Sequence, residues 1–72
     1  MKLKKLLKHI TDDTYVGIYA NGENVYNDLR YGLPDDLGIL DYLNYKVDKI
    51  WTGQIIHSQR EIDQKINISL KG

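Results

Sequence analysis

The sequence predicts an α+β fold: a single small domain over residues 1–72, in the order α-β-β-α-β-β, with an antiparallel sheet and helices on one of its faces. Three observations predict it. An amphipathic stretch opens the chain, an Asn-Gly dipeptide joins two alternating segments, and two more alternating segments close it. A chain of 72 residues suits one domain with a thin core and a small stability margin.

The N-terminal segment predicts a short amphipathic helix that "TDD" ends. Its apolar residues recur at helical spacing, with lysines on the opposite side. The basic start is like that of a signal peptide, but no apolar run of signal length follows, so we expect mature protein. With the absence of cysteine, this favours a cytoplasmic location and no association with membrane. The apolar stripe comprises Leu3, Leu6, Leu7 and Ile10.

The next segment, "TYVGIYANGENVYNDLRYG", predicts a β-hairpin. Val16 and Ile18 alternate with tyrosine and glycine, as in a half-buried strand. Asn21-Gly22 favours a type I′ turn, because both residues tolerate positive φ. Pairing about this turn sets Ile18 opposite Val25, and Tyr19 opposite Asn24.

"LPDDLGILDYLNY" predicts a second helix, with Pro34, Asp35 and Asp36 in its first turn, where carboxylates suit the helix dipole. Two strands are expected to follow, and "IDQKINISL" is the cleanest alternation in the chain. In the last strand, one face is expected to carry Ile62, Ile66, Ile68 and Leu70. The residues expected in the core are Leu37, Leu40, Leu43, Val47 and Ile50.

The composition argues against an enzyme. There is no cysteine, and the two histidines, His9 and His57, lie far apart in the chain. Ser58 follows His57, but adjacent residues of a strand point to opposite faces and form no catalytic dyad. The glycines are scattered and form no phosphate loop. We therefore expect no catalytic residue, no cofactor and no metal site.

Charge is distributed unevenly along a chain whose net charge is zero. Residues 1–10 carry four lysines and no acid, whereas residues 11–48 carry eight acids and two bases. Residues 26–51 also hold four of the six tyrosines and the single tryptophan. Because such rings anchor protein interfaces, the leading hypothesis is a protein partner, itself a nucleic-acid-binding protein in one version. Its predicted contacts form the predicted acidic face: Tyr26, Asp28, Arg30, Tyr31, Asp35, Asp36, Asp41 and Tyr42.

Two alternatives stand beside the protein partner. Direct nucleic-acid binding ranks below it and would use the lysines of the first helix, although these equally suit a solvated helix face. A homodimer or larger homo-oligomer would bury tyrosines across a symmetric interface, although tyrosine also suits a thin core that is never far from water. The candidate nucleic-acid contacts are Lys2, Lys4, Lys5 and Lys8.

"LKKLLKHITDDTYVGIYANGENVYNDLRYGLP", followed by a short helix and "YKVDKIWTGQIIH", resembles a group of small accessory proteins of phages, prophages and mobile elements of low-GC Gram-positive bacteria. The shared features are a leucine-rich helix running into "DDT", an "I-Y" strand, and a later strand with Val47, Ile50 and Trp51. The resemblance covers about the first two-thirds of the chain and implies no catalytic residue. It implies a non-enzymatic protein that inhibits or modulates a host or phage protein, and in its sharpest form an anti-CRISPR inhibitor of a defence nuclease.

Overall fold

The computed structural model describes residues 1–35 and 37–72, and for residues 34, 35 and 37 the backbone alone. These residues form a small domain with one four-stranded sheet and short helices. The strand order in the sheet is β2-β1-β4-β3. The elements are α1 (Leu3–Leu7), β1 (Tyr15–Ala20), β2 (Glu23–Leu29), the 3₁₀ helices η1 (Arg30–Asp35) and η2 (Leu37–Tyr42), β3 (Lys46–Ile56) and β4 (Ile62–Lys71).

The sheet is mixed, and the prediction of an antiparallel sheet is wrong for its central pair. β1 lies parallel to β4, whereas β1 with β2 and β3 with β4 are antiparallel. Alternation in a strand specifies which residues share a face, but it does not specify which strand lies beside it. Only residues 65–70 of β4 pair with β1, so the far end of the β3–β4 hairpin projects beyond the rest of the sheet.

The turn of the first hairpin is confirmed. Asn21 has φ 55° and Gly22 has φ 80°, the left-handed conformations of a type I′ turn. Tyr19 pairs with Asn24 as predicted, but Ile18 pairs with Tyr26 and leaves Val25 in a β-bulge. The predicted pairing of Ile18 with Val25 is therefore wrong. Because one extra residue reverses the alternation, the bulge brings Tyr26 to the side of the buried Ile18.

The predicted second α-helix is replaced by the two 3₁₀ helices. Gly38 disfavours a regular α-helix in a segment this short, because glycine costs about 1 kcal/mol relative to alanine. A 3₁₀ helix has three residues per turn, so Ile39 and Tyr42 lie along one edge. Ile39 is buried and Tyr42 half-buried, whereas Leu40 is exposed, so the predicted inward position of Leu40 is wrong. The side-chain roles predicted for Pro34, Asp35, Asp36 and Leu37 lie outside the described residues.

The core lies between the sheet and the helices on one of its faces. The predicted stripe of α1 is confirmed, because Leu3 and Leu7 are buried and Leu6 and Ile10 pack against the core. Val47 also packs there, but Ile50 remains exposed, because β3 is the edge strand farthest from β1. The buried core residues are Leu3, Leu7, Val16, Ile18, Ala20, Tyr26, Leu33, Ile39, Ile68 and Leu70.

Candidate functional site

The side of the sheet away from the helices carries a distinct set of side chains, and we call it the open face. Because Val16 and Ile18 of β1 are core residues, the residues that alternate with them lie on the other side. Because paired residues of neighbouring strands lie on the same face, the strand pairing also assigns residues of β4 and β3 to this side. The open face comprises Tyr15, Gly17 and Tyr19 of β1, Lys65, Asn67 and Ser69 of β4, and Lys49, Trp51 and Gly53 of β3.

Aromatic rings meet at two places on the open face. Tyr19 and Trp51 stack, with ring centroids 5.7 Å apart and planes inclined by 29°. Tyr15 lies 5.7 Å from the ring of His57 at an angle of 48°. Trp51 remains 44% exposed in spite of its stacking partner. The Tyr19–Trp51 pair therefore presents indole surface to solvent from the rigid part of the sheet.

Asn67 lies at the centre of the open face and is only 6% exposed. A Cβ atom on Gly17 would stand 2.6 Å from Asn67 Oδ1, and one on Gly53 would stand 3.0 Å from its Nδ2. The two glycines therefore leave the space in which the amide extends across the neighbouring strands. A Cβ on Gly17 would also stand 2.7 Å from Lys65 Cε, so the Lys65 chain runs beside the same amide.

The amide oxygen of Asn67 is buried and has no hydrogen-bond partner within the described part of the chain. An unpaired buried acceptor costs about 1–3 kcal/mol, so such groups are rare in folded proteins. The oxygen is covered, so a ligand N–H or O–H group would reach it only after the neighbouring Lys65 side chain moves aside.

The charges of the open face are mainly positive, although the chain has no net charge. Lys49 and Lys65 lie on this face, and Lys46 and Lys71 pair with each other at one end of the β3–β4 hairpin. Asp63 lies at the other end, where its Oδ2 is 2.8 Å from Nε2 of His57. Asp48, at the bulge of β3, is exposed. Lysines thus flank the stacked rings along β3 and β4.

The predicted acidic face is assembled only in part. Tyr26 is buried, and its hydroxyl donates a hydrogen bond to the Leu29 carbonyl, so its ring contributes to the core. Arg30 Nε donates to the Leu7 carbonyl at 3.1 Å and ties η1 to α1. Tyr42 is half-buried and packs edge-on against Tyr45. Of the remaining residues, Asp28, Tyr31 and Asp41 are exposed, and the side chains of Asp35 and Asp36 lie outside the described residues.

Most of the lysines predicted as nucleic-acid contacts lie on the other side of the molecule. α1 packs on the helix-covered face of the sheet, and the lysines on or beside it are exposed. The four predicted contacts are nevertheless divided, because Lys2 forms a β-bridge with Lys46 at the edge of the sheet, whereas the other three lie with α1. The four predicted contacts are Lys2, Lys4, Lys5 and Lys8.

Sequence reasoning missed the open face because it depends on the strand order. The tyrosines of "YVGIYA" and the polar residues of "KINIS" are visible as the non-core positions of two strands. Their alternation indicates one polar face for each strand. Because β4 lies between β1 and β3, the rings of Tyr19 and Trp51 meet over β4, beside Asn67.

No family model, curated protein or solved structure matches the chain. The resemblance to phage accessory proteins, the anti-CRISPR activity and the cytoplasmic location therefore stay predictions. None of the helices in the described ranges has the length and apolar character needed to cross a membrane. Within the same ranges, no group of three or more His, Cys, Asp or Glu residues could hold a metal ion.

Proposed function

We propose that this chain is a non-enzymatic binding protein whose open face binds single-stranded nucleic acid. The observation that carries the proposal is the Tyr19–Trp51 stack beside the buried amide of Asn67, whose oxygen has no hydrogen-bond partner among the described residues. Stacking rings, hydrogen-bonding groups and cations are the three features by which sheet surfaces bind unpaired nucleotides. All three occur together on this face.

The rings are the expected anchors for bases. Each base that stacks on an aromatic side chain contributes about 1–3 kcal/mol to binding, with little dependence on sequence. Trp51 has exposed surface on an edge strand, and Tyr15 and Tyr19 are half-buried on β1. Tyr15 and Tyr19 are four residues apart on one face, or about 13 Å along the strand. The two aromatic pairs thus provide two separate stacking positions.

The lysines are the expected partners of the phosphates. Lys49 and Lys65 lie on the same face as the rings and have flexible stems that reach beyond the sheet surface. Lysine–phosphate contacts increase the affinity and make it depend on salt concentration, but they do not distinguish one base sequence from another. Movement of the Lys65 ammonium toward a phosphate would also draw its chain away from the neighbouring Asn67 amide.

Asn67 is the expected contact to a base edge. Its oxygen accepts a hydrogen bond and its nitrogen donates two, which matches the adjacent donor and acceptor groups along base edges. A base that supplied an N–H to Asn67 Oδ1 would satisfy the buried acceptor that has no partner within the described ranges. Asn67 therefore links the stacking rings to hydrogen-bonded recognition.

The shape of the open face favours a single strand over a duplex. The three strands that carry the open face form a surface about 14 Å wide at ordinary strand spacing. The major groove of B-DNA is about 12 Å wide and admits one helix or a two-stranded ribbon. A flat sheet with rings at its centre suits splayed, unstacked bases instead.

Fluorescence anisotropy with labelled dT and rU oligonucleotides of about 15 residues tests this function. We expect binding at low salt, with a duplex of equal length binding more weakly. Charge reversal of two open-face lysines, Lys49→Glu with Lys65→Glu, should weaken binding at least tenfold at about 50 mM salt. It should also reduce the slope of log affinity against log salt by about 1.4, since each phosphate that a lysine no longer neutralises lowers the slope by about 0.7.

The matched control changes two lysines of the opposite side, Lys4→Glu with Lys8→Glu. It alters the net charge by the same amount, and binding should stay within about threefold of the unmodified protein at the same salt concentration. Equal reductions in affinity for both variants would indicate attraction by net charge alone. Such a result, or no binding of any single strand at low salt, would contradict the proposed function.

Inhibition of a host protein through the predicted acidic face remains a separate hypothesis. Its remaining support is the exposure of Asp28, Tyr31 and Asp41, with Tyr31 70% exposed. Self-association also remains a hypothesis, and the exposed Ile56 and Ile62 at the projecting end of the β3–β4 hairpin are its best candidate contacts.

A further inference from the structure

A cavity of about 210 Å³ opens on the side of the sheet opposite the open face, between α1 and the 3₁₀ helices. Its walls are apolar, and all its charged lining residues are cations within the described part of the chain. The apolar lining consists of Leu7, Leu33, Ile39, Leu40 and Leu43, and the charged lining of Lys4, Lys8 and Arg30.

The cavity is small and its mouth is apolar. Pockets that enclose a whole small-molecule ligand have volumes of about 300–1,000 Å³. A volume of about 210 Å³ suits a single large apolar side chain inserted from a larger partner. Leu40 lines the cavity and is nevertheless 53% exposed, so the mouth itself offers apolar surface that a partner would cover.

The cations at the cavity indicate the charge of the partner. Lys4 and Lys8 are exposed and four residues apart, so they lie on the same side of the chain at α1. Arg30 Nε donates to the Leu7 carbonyl at 3.1 Å, which fixes the guanidinium at the cavity. The Nη groups of a guanidinium are suited to bind a carboxylate. An apolar group with acidic neighbours is complementary to this arrangement.

We propose that this cavity binds an acidic peptide segment of a partner protein, with one large apolar side chain inserted among the leucines and flanking carboxylates on Lys4, Lys8 and Arg30. This site differs from the predicted acidic face, which would meet a basic partner. It also lies on the opposite side of the sheet from the nucleic-acid surface, so neither site depends on the other.

An array of acidic nonapeptides tests the site, with the central position occupied by leucine, isoleucine, methionine, phenylalanine or alanine. We expect at least one large apolar centre to bind about 10- to 50-fold more tightly than alanine in the same flanks, because burial of each methylene contributes about 0.8 kcal/mol. Lysine in place of the acidic flanks should abolish binding. Equal binding of leucine- and alanine-centred peptides would overturn the proposal, as would no binding by any peptide of the array.

Variants locate the binding site for the peptide. Leu40→Ser should weaken the best peptide at least tenfold, and Lys4→Glu with Lys8→Glu should weaken it further. Two controls match them: Ile50→Ser, at a residue 52% exposed on β3, and Lys2→Glu with Lys5→Glu, at the N-cap of α1 and within it. Each cavity variant and its control should have similar melting temperatures, so that a difference in stability does not explain a difference in affinity. Reductions in affinity in the controls as large as those in the cavity variants would overturn the proposal. Binding of octanoate in place of every acidic peptide would assign the cavity to a fatty carboxylate and would also overturn it.

Discussion

Replacement of Trp51 by alanine is expected to weaken single-stranded oligonucleotide binding by about 10- to 100-fold, because it removes the most exposed stacking ring of the open face. The fold should persist, since Trp51 is 44% exposed on the edge strand and belongs to no buried core position. Tyr19 would also be left without the ring against which it packs, so its own orientation should become less defined. Anisotropy titration gives the change in affinity.

Two neighbouring substitutions separate stacking from general damage to β3. Trp51→Phe keeps a ring and should stay within about fivefold of the unmodified protein. Ile50→Ala changes the adjacent residue, which points to the opposite face and is 52% exposed, and it should leave affinity unchanged. If the Trp51→Ala variant binds the oligonucleotide as tightly as the unmodified protein, the ring of Trp51 is not an anchor.

Replacement of Ile18 by alanine is expected to lower the free energy of unfolding by about 2–5 kcal/mol. Ile18 is fully buried at the centre of the sheet, between Tyr26 of β2 and Ile68 of β4. The cavity left behind cannot be filled without moving both neighbouring strands. A domain of this length is stable by about 4–11 kcal/mol in total, so the substitution removes a large part of its stability.

Urea denaturation followed by circular dichroism measures this change in stability. Ile62→Ala is the matched control, because it removes the same atoms from a side chain that is 50% exposed on the projecting hairpin. The control should cost less than about 0.5–1 kcal/mol. Similar costs for the two substitutions would contradict the assignment of the core to the region between β1, β4 and the helices.

The parts of the fold with strong local signals were predictable. The stripe of α1 and the Asn21-Gly22 turn depend on residue spacing and on permitted φ, and both are confirmed. The bulge at Val25 was not predictable from alternation, because either register leaves an apolar residue beside Ile18. Burial of Tyr26 depends on tertiary packing in the core, which alternation within one strand does not specify.

The parallel pairing of β1 with β4 was not predictable for a different reason. Both strands have clean alternation, which specifies a buried face but is satisfied by several strand orders. The observed order sets Gly17 beside Asn67, which accommodates the amide where any Cβ would collide with it. The candidate site is therefore a consequence of topology, and the concentration of tyrosines in residues 26–51 gave no indication of it.

A ¹⁵N-resolved NMR titration with an unlabelled dT oligonucleotide tests nucleic-acid binding by the open face most directly. We expect the largest shifts at the backbone amides of Gly17 and Gly53, the indole N–H of Trp51 and the side-chain amide of Asn67, with no comparable shifts in α1. Shifts confined to α1 and its lysines, or no shifts at saturating oligonucleotide, would contradict binding at this face.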